Sequence, residues 1–329
     1  MPTLTLVEAH DLVAAALTRN RTNAVNAASV ARALVAAEAD GLKGHGLSRV
    51  QTYAAQAKIG KVDGFATPSA ERARPGLLTV DAAHGFAYPA IECAEAMLPE
   101  MARANGVAAA AIRRSHHCGA AGHPAERLAE KGLVALLLAN TPAAIAPWGG
   151  SVGIFGTNPI AFACPQGDGA PIVIDLSLSK VARGNILAAK QKGEKIPEGW
   201  ALDAAGKPTT DPDAALGGTM LPLGDAKGTA LALMVELLAA GLTGANFAAE
   251  ASSFLDAEGP PPGTGQLIIV FDPAAFGGDA LARFAVLAQA IDQQKPARLP
   301  GARRLAARAR AAREGLEVPD ALAKQLAAL

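Results

Sequence analysis

From Leu4 to about Asp40 apolar residues recur every three or four positions in two stretches, interrupted at Arg19-Asn20-Arg21-Thr22-Asn23. That period belongs to helices that bury one face, so the stretch predicts an Ala-rich helical hairpin. Thr5 and Glu8 stand at capping-box spacing at its start. The second helix is expected to stop at Gly41, before GLKGHGLSRVQTYAAQAKIGKVDG. If Gly46 to Lys58 is helical, His45, Arg49 and Tyr53 fall at i, i+4 and i+8 and share a face. From Gly76 the pattern shortens. LLTVDAAHG, GVAAAAIRRS, GLVALLLAN, NPIAFACP, APIVIDLS and GQLIIVFDP are apolar runs bounded by Gly, Pro and Asp, the signature of strands, with a helix over about Tyr88 to Asn105 between the first two. Strands alternating with helices predict an α/β sheet. Uninterrupted runs such as Val134 to Ala139 predict burial on both sheet faces. A helix is expected over Leu231 to Gly241, then a surface excursion at EGPPPGTG. The C-terminal PGARRLAARARAAREGLEVPDALAKQLAAL predicts basic helix whose charge run is a solvated face.

Composition narrows the class. The 329 residues are 50% hydrophobic and 18% charged, enough for one large core or two ordinary ones. The formal net charge is zero, which removes the usual reason to expect nucleic acid or an anionic membrane as partner. Cys93, Cys118 and Cys164 are odd in number and lack CxxC spacing, against a disulfide framework or structural zinc. The first residues lack the basic start and unbroken apolar run of a signal peptide, and no stretch has the ~20 apolar residues of a membrane span. A cytoplasmic protein is expected.

No GxGxxG opens a helix after a strand and no GxxxxGK[ST] occurs, so the common dinucleotide and phosphate loops are missing. Ser115, His116, His117, Cys118 and Gly119 end a strand before a helix, where amide N–H groups suit an anion such as pyrophosphate. Metal binding competes, since Cys118 and His123 stand near the histidine pair. Consecutive rings diverge on a strand, however, and no carboxylate sits at ligand spacing, so no metal is expected. Thr157, in FGTNPIAF, offers a hydroxyl to a carboxylate or is a simple turn residue. Asp175 ends a strand beside Leu176 and Ser177, where its carboxylate can accept from ribose hydroxyls. Lys227 lies at a helix start, where its charge adds to the helix end in holding a phosphate. Taken alone, His45 is most simply a surface or helix-capping histidine.

The stretch from Ser115 to Pro165, with its histidine pair, glycine turn and Gly-Thr-Asn-Pro sequence, resembles the malate/L-lactate dehydrogenase family that lacks a Rossmann fold, and the likeness runs through most of the chain. The resemblance implies a non-Rossmann, mixed-sheet α/β cofactor-binding domain over residues 73–289. It also implies a helical domain from residues 1–72 and 290–329 beside it, and assembly as a homodimer. It makes His45, followed by glycine, the proton donor, and Arg49, four residues on, the substrate-carboxylate clamp, joined by Thr157. It assigns cofactor contacts to His117, Cys118, Gly119, Ala120, Ala121, Asp175, Leu176, Ser177, Arg183, Gly184, Lys227, Gly228 and Gly301. His117 is the second candidate for acid–base work.

Three positions depart from the family pattern. Gly44 stands where a serine usually precedes the histidine, and Cys118 where an aromatic is common. Asn185 follows Ala-Arg-Gly where the imino-acid reductases carry aspartate and the oxo-acid enzymes lysine. Lacking that serine and that aspartate, the chain points to a 2-oxo acid rather than a cyclic imine. The function implied is NAD(P)-dependent interconversion of a small 2-oxo acid and its 2-hydroxy acid. Reduction of pyrroline- or piperideine-2-carboxylate, or cofactor binding without catalysis, are the alternatives. Lys180, Arg183 and Lys190 near the Asp175 strand end tilt the cofactor from NAD towards NADP.

Overall fold

The helical hairpin forms where the period placed it, as α1 (Leu6–Arg19) and α2 (Ala24–Ala39). The computed structural model describes residues 2–167 and 169–329. The Thr5 side chain accepts from the Glu8 N–H while Glu8 accepts from the Thr5 N–H at 2.8 Å, the reciprocal capping box. Asn23 caps α2 by accepting from the Asn26 N–H at 2.8 Å. The helix expected from Gly46 does not form there. Lys43–His45 and Leu47–Arg49 are tight 3-10 turns, and α3 begins only at Val50 (Val50–Ile59). The cause is Glu38: its carboxylate accepts from the Leu47 N–H at 2.9 Å, and a Cβ on Gly46 would lie 3.0 Å from the Glu38 backbone. Only glycine lets the chain pass so close.

The strand runs form β2 (Ser69–Arg74), β3 (Leu77–Asp81), β4 (Val107–Ser115), β5 (Val134–Ala139), β6 (Ile160–Gln166), β7 (Gly169–Leu176) and β11 (Thr264–Phe271), with α4 (Ala87–Asn105) and α5 (Gly122–Glu130) between. They make one sheet in the order β2-β3-β4-β11-β5-β6-β7. The β3–β4 pair is parallel and the rest are antiparallel, so the sheet is mixed. Alternate residues point to opposite faces. Ala135, Leu137, Ile268 and Val270 join the core beneath α4 and α5, whereas Leu136, Leu138, Leu267 and Ile269 join a core on the other face. The sheet is therefore buried on both sides.

That second face is covered by α8 (Ala226–Glu236), which starts at Ala226 rather than Leu231 because the turn ending at Asp225, φ +59°, already breaks the chain. Leu237–Gly241 follow as a π turn, with the Leu242 N–H donating to the Leu237 carbonyl at 2.8 Å. Beside it lie α6 (Arg183–Lys192), α7 (Pro212–Gly217) and a small sheet of β8 (Ala201–Leu202), β9 (Pro208–Thr209) and β10 (Thr219–Met220).

The chain ends with α9 (Ala280–Asp292), α10 (Ala302–Glu314) and α11 (Asp320–Ala328), and β12 (Leu316–Glu317) pairs with β1 (Thr3–Leu4). A third core joins Val13, Leu34 and Tyr53 to Ala311 and Leu326, and takes in Phe86 and Tyr88. The charge run of α10 is not wholly solvated. Arg304 and Arg308 reach inward to Asp40 and Glu126, with contacts of 2.7–2.9 Å, tying α10 to α2 and α5. The Gly/Pro loop is likewise more than an excursion. Lys61, its side chain fully buried, pairs with Asp256 at 2.9 Å and donates to the Glu258 carbonyl, while Gln56 Nε2 donates to the Asp256 carbonyl at 2.7 Å. Among the described residues no helix is long and apolar enough to cross a membrane.

Candidate functional site

Strand β4 ends at Ser115 and delivers His116 and His117 into a pocket walled by Tyr53 of α3, Phe86 and Tyr88 at the start of α4, and Phe254 from the anchored loop. The His116 ring lies 5.4 Å from Tyr53, 5.8 Å from Phe86 and 5.2 Å from Phe254, and neither of its nitrogens has a partner. His117 Nδ1 lies 2.5 Å from the Tyr53 hydroxyl, itself 3.2 Å from the Tyr88 hydroxyl. The 3-10 turn carries His45 over this ring. The His45 and His117 rings stack with centroids 5.3 Å apart at 21°. Thus the two histidines named from sequence meet, although helical spacing does not bring them there. Arg49 Nε donates to the Gly44 carbonyl at 2.7 Å, and among the described residues the guanidinium has no acidic partner.

Burial decides the electrostatics. It is the largest influence lowering His45 to about 4, and the positive charges of Arg49 and His123 add to it. Burial, with Lys61 and Arg49, lowers His116 to about 3. His117 is depressed well below the ordinary range by burial, then by Arg49 and its neighbouring histidines. Burial also raises Tyr53 to about 12, so its phenol keeps its proton.

The segment from Ser115 to Glu126 is buried rather than a row of open amides. The Gly122 N–H at the start of α5, expected to suit a pyrophosphate, already donates to Asp175 Oδ2 at 2.8 Å. Asp175 is exposed at the strand end, yet enough protein surrounds its carboxylate that burial raises its pKa against the Gly122 hydrogen bond. Cys118 is buried and its thiol is pushed up to about 12 by burial and by Asp175. His123 Nε2 is 2.9 Å from Asp40 Oδ2, and no group of three or more His, Cys, Asp and Glu among the described residues could hold a metal.

Thr157 is fixed from behind. Its N–H donates to Thr141 Oγ1 at 2.8 Å, and its carbonyl accepts from the Leu178 N–H at 2.8 Å. The next residue, Asn158, donates to buried Glu236 Oε2 at 2.7 Å, and Glu236 also accepts from Asn140 Nδ2 at 3.1 Å and the Ala248 N–H. Ser177 Oγ lies 3.2 Å from Ser179 Oγ. Arg183 opens α6, donates to the Leu216 carbonyl at 3.2 Å, and leaves a buried Nε unpartnered. Gly184 has open space where a side chain would stand. Lys227, in the first turn of α8, is exposed, while Gly228 is required by packing, since a Cβ there would strike the Leu223 carbonyl. Gly301, φ +89°, lies by the Val173 carbonyl of β7. No hydrogen bond joins Arg49 to Thr157. Nothing in their spacing marked Tyr88, Thr141, Glu236 or Phe254; the one available signal was a lone carboxylate inside the apolar α8.

The family model described as malate/L-lactate dehydrogenase matches residues 4–327. The chain is 52% identical to (2R)-3-sulfolactate dehydrogenase (NADP(+)) of Chromohalobacter salexigens, covering 99% of this chain and 97% of that protein. It is 43% identical to the Delta(1)-pyrroline-2-carboxylate/Delta(1)-piperideine-2-carboxylate reductase of Pseudomonas aeruginosa, covering 99% and 98%. The crystal structure of delta1-piperideine-2-carboxylate reductase from Pseudomonas syringae superimposes with a TM-score of 0.95 at 39% identity, over 100% of this chain and 99% of that one.

Proposed function

The chain belongs to the malate/L-lactate dehydrogenase family, and from that premise we propose that it is an NADP-dependent oxidoreductase interconverting a small 2-oxo acid and its 2-hydroxy acid. The observation that carries this is the meeting of His45, stacked on His117, with the acid-free guanidinium of Arg49 four residues on. Arg49 has N–H donors to spare for a substrate carboxylate, and Thr157 offers a hydroxyl. His45 gives a proton to the substrate's carbonyl oxygen in reduction and takes it back in oxidation. A bound carboxylate would offset the positive charge of Arg49 that helps to depress His45, and so would raise its readiness to carry that proton.

The residues present fit a dinucleotide. The exposed ammonium of Lys227, the unpartnered Nε of Arg183 and the open backbone at Gly184 suit its phosphates and sugars, and Asp175 and Ser177 suit its hydroxyls and amide. His117, Cys118, Gly119, Ala120, Ala121, Leu176, Gly228 and Gly301 complete the proposed cofactor contacts. When bound, the nicotinamide supplies or accepts the hydride. The name of the 52% identical relative supports NADP over NAD and a substrate like sulfolactate.

The test is purified protein with NADPH or NADH and a panel of 2-oxo acids, 3-sulfopyruvate among them, beside pyrroline- and piperideine-2-carboxylate, following loss of the reduced nicotinamide's absorbance. Turnover of an oxo acid with NADPH is expected. Turnover of the cyclic imines alone, or cofactor binding without any turnover, would overturn the assignment.

A homodimer is part of the proposal. Leu233, Leu237 and Leu242 on and after α8 are 46%, 54% and 66% exposed, an apolar stripe that fits a second copy. Sedimentation showing only monomer at micromolar concentration would contradict it. A cytoplasmic setting fits the three free thiols. The division into residues 1–72 with 290–329 and residues 73–289 is supported by the core that joins the chain's two ends.

A further inference from the structure

We propose that the buried phenols of Tyr88 and Tyr53 form a one-way hydrogen-bond chain, Tyr88 to Tyr53 to His117 Nδ1, that locks His117 as the neutral Nε2–H tautomer. This fixes it as a hydrogen-bond donor and leaves proton transfer to His45. The inference rests on the oxidoreductase assignment only for its consequence, since the tautomer itself is a property of the folded chain.

The argument is one of satisfying every buried donor. Tyr53 is fully buried and Tyr88 is 7% exposed. The Tyr53 hydroxyl has two neighbours, His117 Nδ1 at 2.5 Å and the Tyr88 hydroxyl at 3.2 Å, and one proton to give. Among the described residues the Tyr88 hydroxyl has no partner but Tyr53. Gly119 closes in beside it, since a Cβ there would lie 2.5 Å from that oxygen. If Tyr88 donates to Tyr53 and Tyr53 donates to His117, both protons are used and the bare Nδ1 accepts. In the reverse order His117 Nδ1–H donates to Tyr53 and Tyr53 donates to Tyr88, and the Tyr88 proton is stranded in the interior. Buried polar hydrogens are seldom left so. The closer, more basic partner of Tyr53 is also the imidazole nitrogen.

Two features make the lock matter. Burial keeps both phenols protonated and His117 uncharged, so the chain neither dissociates nor gains a proton near neutral pH. His117 Nε2 has no protein partner among the described residues. A neutral Nε2–H there can donate to a carbonyl oxygen, of substrate or of a cofactor amide, but has no lone pair at that atom to take a proton, and Nδ1, the ring's one basic nitrogen, is occupied by the Tyr53 hydroxyl. The stacked His45, whose Nδ1 has no partner, has no such constraint. Tyr53 is thus the positioning residue acting through His117, and Tyr88 only gives its own buried proton a place on the Tyr53 oxygen.

The measurement is long-range nitrogen–proton correlation NMR on the full-length protein carrying 15N-labelled histidine, with His117 assigned by loss of its signals in His117→Asn. The wild type should hold the proton on Nε2 of an uncharged ring at neutral pH. Tyr53→Phe should relax this to a mixture of tautomers or restore titration, whereas Tyr88→Phe, which removes an equal hydroxyl from the same core but leaves Tyr53 its donor, should keep Nε2–H. A purely packing role would not separate the two variants. A wild-type ring protonated on Nδ1 or charged, or a tautomer unchanged in Tyr53→Phe, would overturn the proposal. Should Tyr53→Phe fail to fold, the wild-type tautomer still decides. Absence of turnover with every oxo and imino acid would instead sink the functional assignment and leave the tautomer result standing.

Discussion

Glu236 holds three donors from three distant parts of the chain: Asn140 and Asn158 side chains and the Ala248 backbone. A carboxylate suits that arrangement because it only accepts, whereas an amide would turn its NH2 towards other donors. Glu236→Gln should therefore cost about 1.5–3 kcal/mol, the range for hydrogen bonds to a charged group. Urea unfolding reads it, and a change below ~0.5 kcal/mol would mean the turn holds itself. Residues of this kind were illegible in the sequence because their partners lie up to about a hundred positions away. The sequence singled out His45, Arg49, His117 and Thr157 because each stands in a short stretch that resembles the family. Tyr53 was half legible: its period placed it near His45, but not its hydroxyl against His117.

At the scale of elements, the joint between α2, α5 and α10 is the test case. Asp40 and Glu126 face Arg304 and Arg308, with side chains 0% and 4% exposed for the acids. Burial alone would raise the Asp40 pKa, but hydrogen bonds from Arg308, His123 and Arg304 outweigh it and hold the carboxyl well below the usual range. Asp40→Ala leaves those guanidiniums Glu126 alone as partner, with Arg308 37% exposed to water, so it should cost about 1–3 kcal/mol in urea unfolding, less than a fully stranded buried pair. A loss under ~1 kcal/mol would show water already screening the site. The Lys61 anchor should behave otherwise. Lys61→Met swaps a buried ammonium for an apolar chain, so global stability should change little while the loop around Asp256 becomes quickly cleaved by protease. Unchanged cleavage would mean Phe254 holds the loop unaided. Neither joint could be read from the chain, since a basic helix and a Gly/Pro loop look solvated until a distant buried acid or lysine meets them. The 3-10 turns under His45 escaped for a like reason: apolar spacing does not register Glu38 capturing the Leu47 N–H.

For the whole molecule, pattern gave the strands and their two-sided burial but not the sheet order, which inserts β11 between β4 and β5 from more than a hundred residues downstream. Three histidines, buried His116 and His117 and half-buried His45, then shape stability. His45, His116 and His117 have folded-state pKa values below the unfolded value near 6.5, so the unfolded chain takes up protons first. Stability, intact above about pH 6.5, should be lost as pH falls towards 4. Depressed carboxylates such as Asp40 and Glu126 act only below about 4, so the upper window belongs to the histidines. A Tm that stays level from about pH 7 to 5 would contradict this. The assembled account, that a 3-10 turn sets an acid above a donor beside one carboxylate clamp, is tested most directly by the turnover of His45→Ala with NADPH and the preferred oxo acid, cofactor affinity being followed by fluorescence titration. The account predicts a fall in kcat of about 10²–10⁴, typical for loss of a general acid, with cofactor Kd nearly unchanged. Near-normal turnover in His45→Ala, with His117→Ala inactive yet binding cofactor normally, would make His117 the acid and contradict it.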